Sequence, residues 1–155
     1  MSALAIADDI PAGTLADADG AAIDLKALKG APLVVYFYPK ADTPGCTTEA
    51  QDFTRLAPDF AHLNAQVIAV SRDAPAKLCK FRDKYGLTVR LASDEDGSVC
   101  EAFGTWVEKQ NYGRTYMGIE RSTFLFGADG KLAREWRKVR VKGHADAVLE
   151  AAKTL

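Results

Sequence analysis

The stretch Leu33-Val34-Val35-Tyr36-Phe37-Tyr38 has no strongly polar position. A run of that kind predicts a strand covered on both faces, as at the centre of an α/β sheet. Shorter apolar runs predict further strands at residues 65–71, 90–93, 122–126 and 132–139. Between them the period changes. Phe53, Leu56, Phe60 and Leu63 recur at spacings of three and four, which predicts a helix over 48–64 with one buried stripe. Leu78 and Phe81 share a face of a second predicted helix, 74–85, with Gly86 as its C-terminal stop. Helices are also expected at 97–103 and 145–152, and turn signals fall at 17–20, 29–32, 94–97 and 128–130.

Strand, helix, strand and helix, then strands paired around Asp129–Gly130 and a last helix, imply an α/β fold. The sheet is expected to be central and mixed, with helices on both faces. A thioredoxin-like fold has that order, although fold alone does not settle function. No repeat or linker interrupts the chain, and 155 residues suit one domain spanning 1–155.

Composition removes several function classes. The net charge of −1 gives no global attraction to nucleic acid or anionic membrane. The local basic group Arg134, Arg137, Lys138, Arg140 and Lys142 reads as one solvated strand face. No apolar run approaches the roughly 18 residues that a membrane span needs. Met1 to Ile10 lacks the basic start and apolar core of a secretory signal, so a cytoplasmic location is expected. Three cysteines, Cys46, Cys79 and Cys100, are too few for a disulfide framework and point to catalytic, redox-cycling or buried roles. There is no CxxC or HxxxH pair, and neither a metal nor an organic cofactor is expected.

Chemistry concentrates in Pro39-Lys40-Ala41-Asp42-Thr43-Pro44-Gly45-Cys46-Thr47-Thr48-Glu49, between the central strand and the first long helix. Pro44 and Gly45 force a turn that places Cys46 at or near the helix start. The first helical turn leaves about four N–H groups unpaired and carries roughly half a positive charge. A thiolate is favoured at such a position, and the thiolate is the nucleophilic form of cysteine. Thr43 can bring a hydroxyl beside the sulfur, or act only as a helix cap. Pro39 can shield the sulfur without offering an N–H, or simply end the strand.

The spacing Pro39-x-x-x-Thr43-x-x-Cys46 resembles the active-site motif of peroxiredoxins. The surrounding Tyr36-Phe37-Tyr38-Pro39-Lys40 and Thr43-Pro44-Gly45-Cys46-Thr47 resemble the bacterioferritin-comigratory, or PrxQ, subfamily. The likeness continues through Val70-Ser71-Arg72-Asp73, Ser93-Asp94-Glu95-Asp96-Gly97 and Tyr112-Gly113. It runs on through Gly118-Ile119-Glu120-Arg121-Ser122-Thr123-Phe124 to Gly143-His144-Ala145. The resemblance implies a thiol peroxidase in which Cys46 is the peroxidatic cysteine, Thr43 contacts sulfur and peroxide, Pro39 shields the pocket and Arg121 sits beside the thiolate. Gly45, through its backbone, joins Thr43 and Arg121 in substrate binding. The planar fork of Arg121 suits a thiolate and an oxygen substrate; without the resemblance Arg121 reads as an arginine paired with Glu120 or Glu49. Hydrogen peroxide and organic hydroperoxides are the implied substrates. Thioredoxin is the implied reductant, with glutaredoxin or glutathione as alternatives, and the protein is expected to be a monomer.

The resolving cysteine of the commonest pattern lies five positions after the peroxidatic one, where this chain has Gln51. Other members carry it in the next helix, which implies Cys79. Cys100, followed at spacing three by Phe103, reads as a buried helical residue. An external thiol is the remaining way to resolve Cys46. Two rival functions belong to other classes. One is a thioredoxin-fold binding or chaperone-like module with Cys46 as a redox sensor. The other is a thiol–disulfide oxidoreductase, against which the missing CxxC argues.

Overall fold

The computed structural model describes residues 4–155, so the expectation for Met1 to Ile10 lies in part outside the described residues. Seven strands form one mixed sheet in the order β2-β1-β5-β4-β3-β8-β9. They are β1 (Thr14–Asp17), β2 (Ala22–Asp24), β3 (Leu33–Phe37), β4 (Gln66–Ser71), β5 (Arg90–Ser93), β8 (Ser122–Phe126) and β9 (Leu132–Trp136). β3, β4 and β5 run parallel, and the outer pairings are antiparallel. A separate antiparallel hairpin joins β6 (Trp106–Asn111) to β7 (Arg114–Ile119). The helices are α1 (Pro44–Arg55), α2 (Ala57–His62), α3 (Pro75–Tyr85), α4 (Ser98–Ala102) and α5 (His144–Ala152).

Strand alternation divides the interior into two cores. Val34 and Tyr36 of β3 point to one face, where they meet Phe53, Phe60, Leu78, Phe81 and Val148 from α1, α2, α3 and α5. Leu33, Val35 and Phe37 point to the other, against Val99, Cys100, Phe103, Phe124 and Phe126. Tyr36 stacks on Phe53 with ring centres 4.5 Å apart, and its β4 neighbour in register is the small Ala69. That stack fixes α1 over the C-terminal half of β3. Helices therefore cover both faces, as expected, and among the described residues no helix is long and apolar enough to cross a membrane.

The first long helix, the last strand and the basic group differ from expectation, and four strands were not foreseen. The helix over 48–64 is two helices that meet at Leu56 (φ −90°, ψ 1°). Pro58 lacks the N–H an unbroken helix requires and crowds the carbonyl four positions back. The first helix also starts earlier, with Pro44 in its first turn, where a missing N–H costs nothing. The hairpin β6–β7 and the short strands β1 and β2 carry too little alternating hydrophobicity to announce themselves. Finally, β9 ends at Trp136 and not at 139. Lys138 takes φ +48°, and half-buried Arg137 donates to the carbonyls of Gly104 (3.0 Å) and Phe103 (3.1 Å) behind α4. The basic group is not one solvated strand face.

Candidate active site

Thr43 caps α1 with extended backbone (φ −101°, ψ 155°), and its carbonyl accepts the Thr47 N–H at 2.8 Å. The N–H groups of Gly45 and Cys46 precede that bond and have no acceptor within the helix. Cys46 is thus the third residue of α1. Its side chain is only 2% exposed and lies in the core cluster with Tyr36, Tyr38 and Phe53.

Arg121 occupies the short link between β7 and β8, and the antiparallel pairing of β8 with β3 delivers it to the C-terminal end of β3, where α1 begins. Its Nη2 donates to Cys46 Sγ at 3.3 Å and its Nη1 to Glu49 Oε1 at 2.6 Å. One guanidinium therefore bridges the sulfur and a carboxylate one helical turn further on. Gly45 makes room for it, because a Cβ there would lie 3.3 Å from Nη2. Glu49 is 1% exposed. Burial pushes its carboxyl up to about 7, with Arg121 opposing that rise through its charge and hydrogen bond. Glu49 Oε2 and the Tyr36 hydroxyl are buried without a hydrogen-bond partner among the described residues.

Two further residues border this pair. Half-buried Lys109 of β6 is held below the ordinary lysine range, by burial first and then by the Arg121 charge, while Cys46 pulls the other way. His144, at the start of α5, shares a 2.7 Å hydrogen bond with Thr123 through Nε2. Burial, with Arg121 in second place, lowers it to about 4, so its ring is neutral near pH 7.

The residues singled out in the sequence distribute unevenly. Cys46, Gly45 and Arg121 come together. The Thr43 hydroxyl donates to the Lys40 carbonyl at 2.8 Å and makes no hydrogen bond to the sulfur. Pro39 is exposed in the loop after β3. Cys79 is half-buried on α3, where its sulfur accepts from Arg82 Nη2 at 3.3 Å. Cys46 and Cys79 are both free thiols with separate arginine partners. Cys100 is fully buried in α4, and burial together with Asp94 pushes its thiol far up. Glu49, Lys109 and His144 went unassigned in the sequence, apart from Glu49 as a possible ion-pair partner. Among the described residues no group of three or more His, Cys, Asp or Glu side chains is arranged to hold a metal.

The site thus sets a buried cysteine in the first turn of a helix, bridged by arginine to a buried glutamate, at the end of the central strand of a mixed α/β sheet. The AhpC/TSA family model matches residues 6–135. The chain belongs to the AhpC/TSA family. It is 47% identical over 136 residues to Peroxiredoxin Bcp of Bacillus subtilis, covering 88% of this chain and 87% of that one. It is 46% identical over 149 residues to Peroxiredoxin Bcp of Xanthomonas campestris, covering 94% and 93%. Among solved structures, a Xylella fastidiosa PrxQ cysteine mutant superposes with a TM-score of 0.93 at 39% identity, covering 99% of this chain and 98% of that one. A Xanthomonas campestris bacterioferritin comigratory protein, solved as part of a study of its alkyl peroxide reduction, gives 0.88 at 43% identity, covering 95% and 98%. The expected likeness to peroxiredoxins of the bacterioferritin-comigratory, or PrxQ, kind and the expected thioredoxin-like fold are borne out, and the protein is a thiol-dependent peroxidase.

Proposed function

We propose that Cys46 is the peroxidatic nucleophile of this peroxidase. The observation that carries the assignment is the 3.3 Å approach of Arg121 Nη2 to Cys46 Sγ, with Nη1 fixed on Glu49. The Cys46 thiolate attacks one oxygen of a hydroperoxide. The S–O bond forms as the O–O bond breaks, and the second oxygen leaves with the bonding pair and takes a proton to become water or an alcohol. Charge moves from sulfur toward that leaving oxygen. Arg121 and the free N–H groups of Gly45 and Cys46 are fixed donors positioned to meet it, with no reorganisation at the moment of reaction. The Thr43 hydroxyl has committed its proton to Lys40 and so offers lone pairs, which suit the O–H of an incoming hydroperoxide. Pro39, at the edge of the same loop, limits solvent access without adding a competing donor.

Cys46 is left as a sulfenic acid, the reversible first step of thiol oxidation. Cys79 then attacks its sulfur, forming the S–S bond and releasing the hydroxyl as water. A thioredoxin-type dithiol, with glutaredoxin or glutathione as alternatives, reduces that disulfide. Complete burial within α4 argues against Cys100 in this role. The enzyme acts as a single domain over 1–155, on hydrogen peroxide and organic hydroperoxides, as a cytoplasmic monomer. The test is peptide mapping by mass spectrometry after treatment with one equivalent of hydroperoxide. A Cys46–Cys79 disulfide is expected. A disulfide through Cys100, or a Cys46 that stays a thiol, would overturn the assignment.

A further inference from the structure

The loop before α1 is fastened to α3 at both ends of that helix. At one end the Ala41 N–H donates to Asp73 Oδ2 at 2.8 Å, and Asp73 Oδ1 pairs with Lys77 at 3.2 Å. At the other, the Tyr85 hydroxyl donates to Asp42 Oδ1 at 2.6 Å and Lys84 Nζ lies 2.9 Å from Oδ2. Cys79 sits on α3 between these two fastenings. Asp42 has φ +62°, a left-handed conformation that is disfavoured for residues with a side chain, less for Asp than for most. The next residue, Thr43, is the cap of α1.

We propose that Asp42, with Tyr85 and Lys84, is a positioning clasp that holds the Cys46 loop in its reactive form and must open before Cys79 can reach Cys46. This rests on the reading of Cys79 as the resolving residue. A disulfide requires the two Cα atoms to come within roughly 7 Å. Each sulfur now lies on a different arginine, and Leu78 and Phe81 bury the face of α3 beside Cys79. Cys79 therefore leaves by unwinding α3, which carries Lys84 and Tyr85 away from Asp42. Once released, Asp42 relaxes out of the left-handed region and the Thr43 cap loosens with it. Attack on peroxide needs the clasp closed, and disulfide formation needs it open. Asp42 and Tyr85 touch neither sulfur, so they act through the loop and the helix.

The experiment measures two rate constants on the full chain by rapid quench and mass spectrometry: Cys46 sulfenic acid formation from hydrogen peroxide, and appearance of the Cys46–Cys79 disulfide. Asp42→Gly removes the carboxylate yet keeps the left-handed backbone available, and Tyr85→Phe removes one hydrogen bond. Both should slow the first step and speed the second, each by about two- to tenfold, the range one hydrogen bond of ordinary net strength covers. Asp19→Asn is the control. It weakens the Asp19–Arg82 pair, which ties α3 to the β1–β2 turn and not to the loop, so it should speed only the second step. Parallel slowing of both steps, or no change in either, would overturn the clasp. Wild-type protein that forms no Cys46–Cys79 disulfide would remove Cys79 from the cycle and the clasp with it. Wild type that forms the disulfide, beside variants that behave like it, removes the clasp alone.

Discussion

Arg121 and Glu49 stand 72 positions apart in the chain and meet at 2.6 Å, in a contact where the carboxylate is 1% exposed. The pair fixes the guanidinium plane, and the remaining nitrogen then points at Cys46. Removing the arginine should separate chemistry from folding. In Arg121→Met, sulfenic acid formation should fall by about 10²–10³-fold, as for loss of one fixed donor to a developing charge. Arg121→Lys should recover little, because an ammonium cannot bridge two acceptors in a planar fork. Single-turnover oxidation measured beside a thermal melt checks both points.

Gly45 tests the same geometry from below. A Cβ at 3.3 Å from Nη2 forces the guanidinium to give by a few tenths of an ångström. Gly45→Ala should slow oxidation of Cys46 by about tenfold, within the range that misplacement of a catalytic group produces. Gly45→Val should slow it further. Denaturant midpoints should change little, since Gly45 is exposed.

Glu49 and His144 make opposite contributions to the pH dependence of stability. Burial raises Glu49 from 4.5 to about 7. Across that window the folded protein keeps a proton the unfolded chain has released, so the Glu49 contribution falls as pH rises. Burial lowers His144 from 6.5 to about 4. Its contribution is complete above 6.5 and is lost as pH falls toward 4, because there the unfolded chain binds the proton first. Relative to wild type, Glu49→Gln should gain on the order of 2 kcal/mol between pH 4.5 and 7, and His144→Asn should lose a similar amount between pH 4 and 6.5. Urea midpoints across pH measure both. Slopes of the same sign would contradict the assignment.

The two remaining cysteines separate cleanly. Cys79→Ser should accumulate sulfenic acid after one equivalent of hydroperoxide, trapped by a dimedone-type reagent. Cys100→Ser should still form the intramolecular disulfide. Cys100 is fully buried, so its serine variant puts a hydroxyl into the core and should cost about 1–3 kcal/mol of stability. Mass spectrometry and a thermal melt read the two effects independently.

Much of the fold was legible because the buried strands declare themselves. Strands 90–93 and 122–126 fall where the apolar runs predict them. The sequence also held the signal for the break at Leu56, since Pro58 sits inside the periodic stripe and periodicity alone overlooks it. The hairpin β6–β7 was not legible, because most of its side chains stay exposed or half-exposed and only its base, Ile119 with Trp106, reaches a core. Local physics reached Cys46, because helix start and nucleophile are neighbours in the chain. Arg121 was reached only through family resemblance. Its partnership with Glu49 depends on strand pairing that no local window contains, and the lowered His144 and Lys109 depend on that same nonlocal packing.

The central claim is that Cys46 is the reacting group. Stopped-flow mixing of reduced Cys79→Ser protein with one equivalent of hydrogen peroxide, with and without Cys46→Ser, tests it most directly. The account predicts oxidation several orders of magnitude faster than that of free cysteine, and its complete loss in Cys46→Ser. Oxidation no faster than that of free cysteine, or oxidation that survives Cys46→Ser, would contradict it.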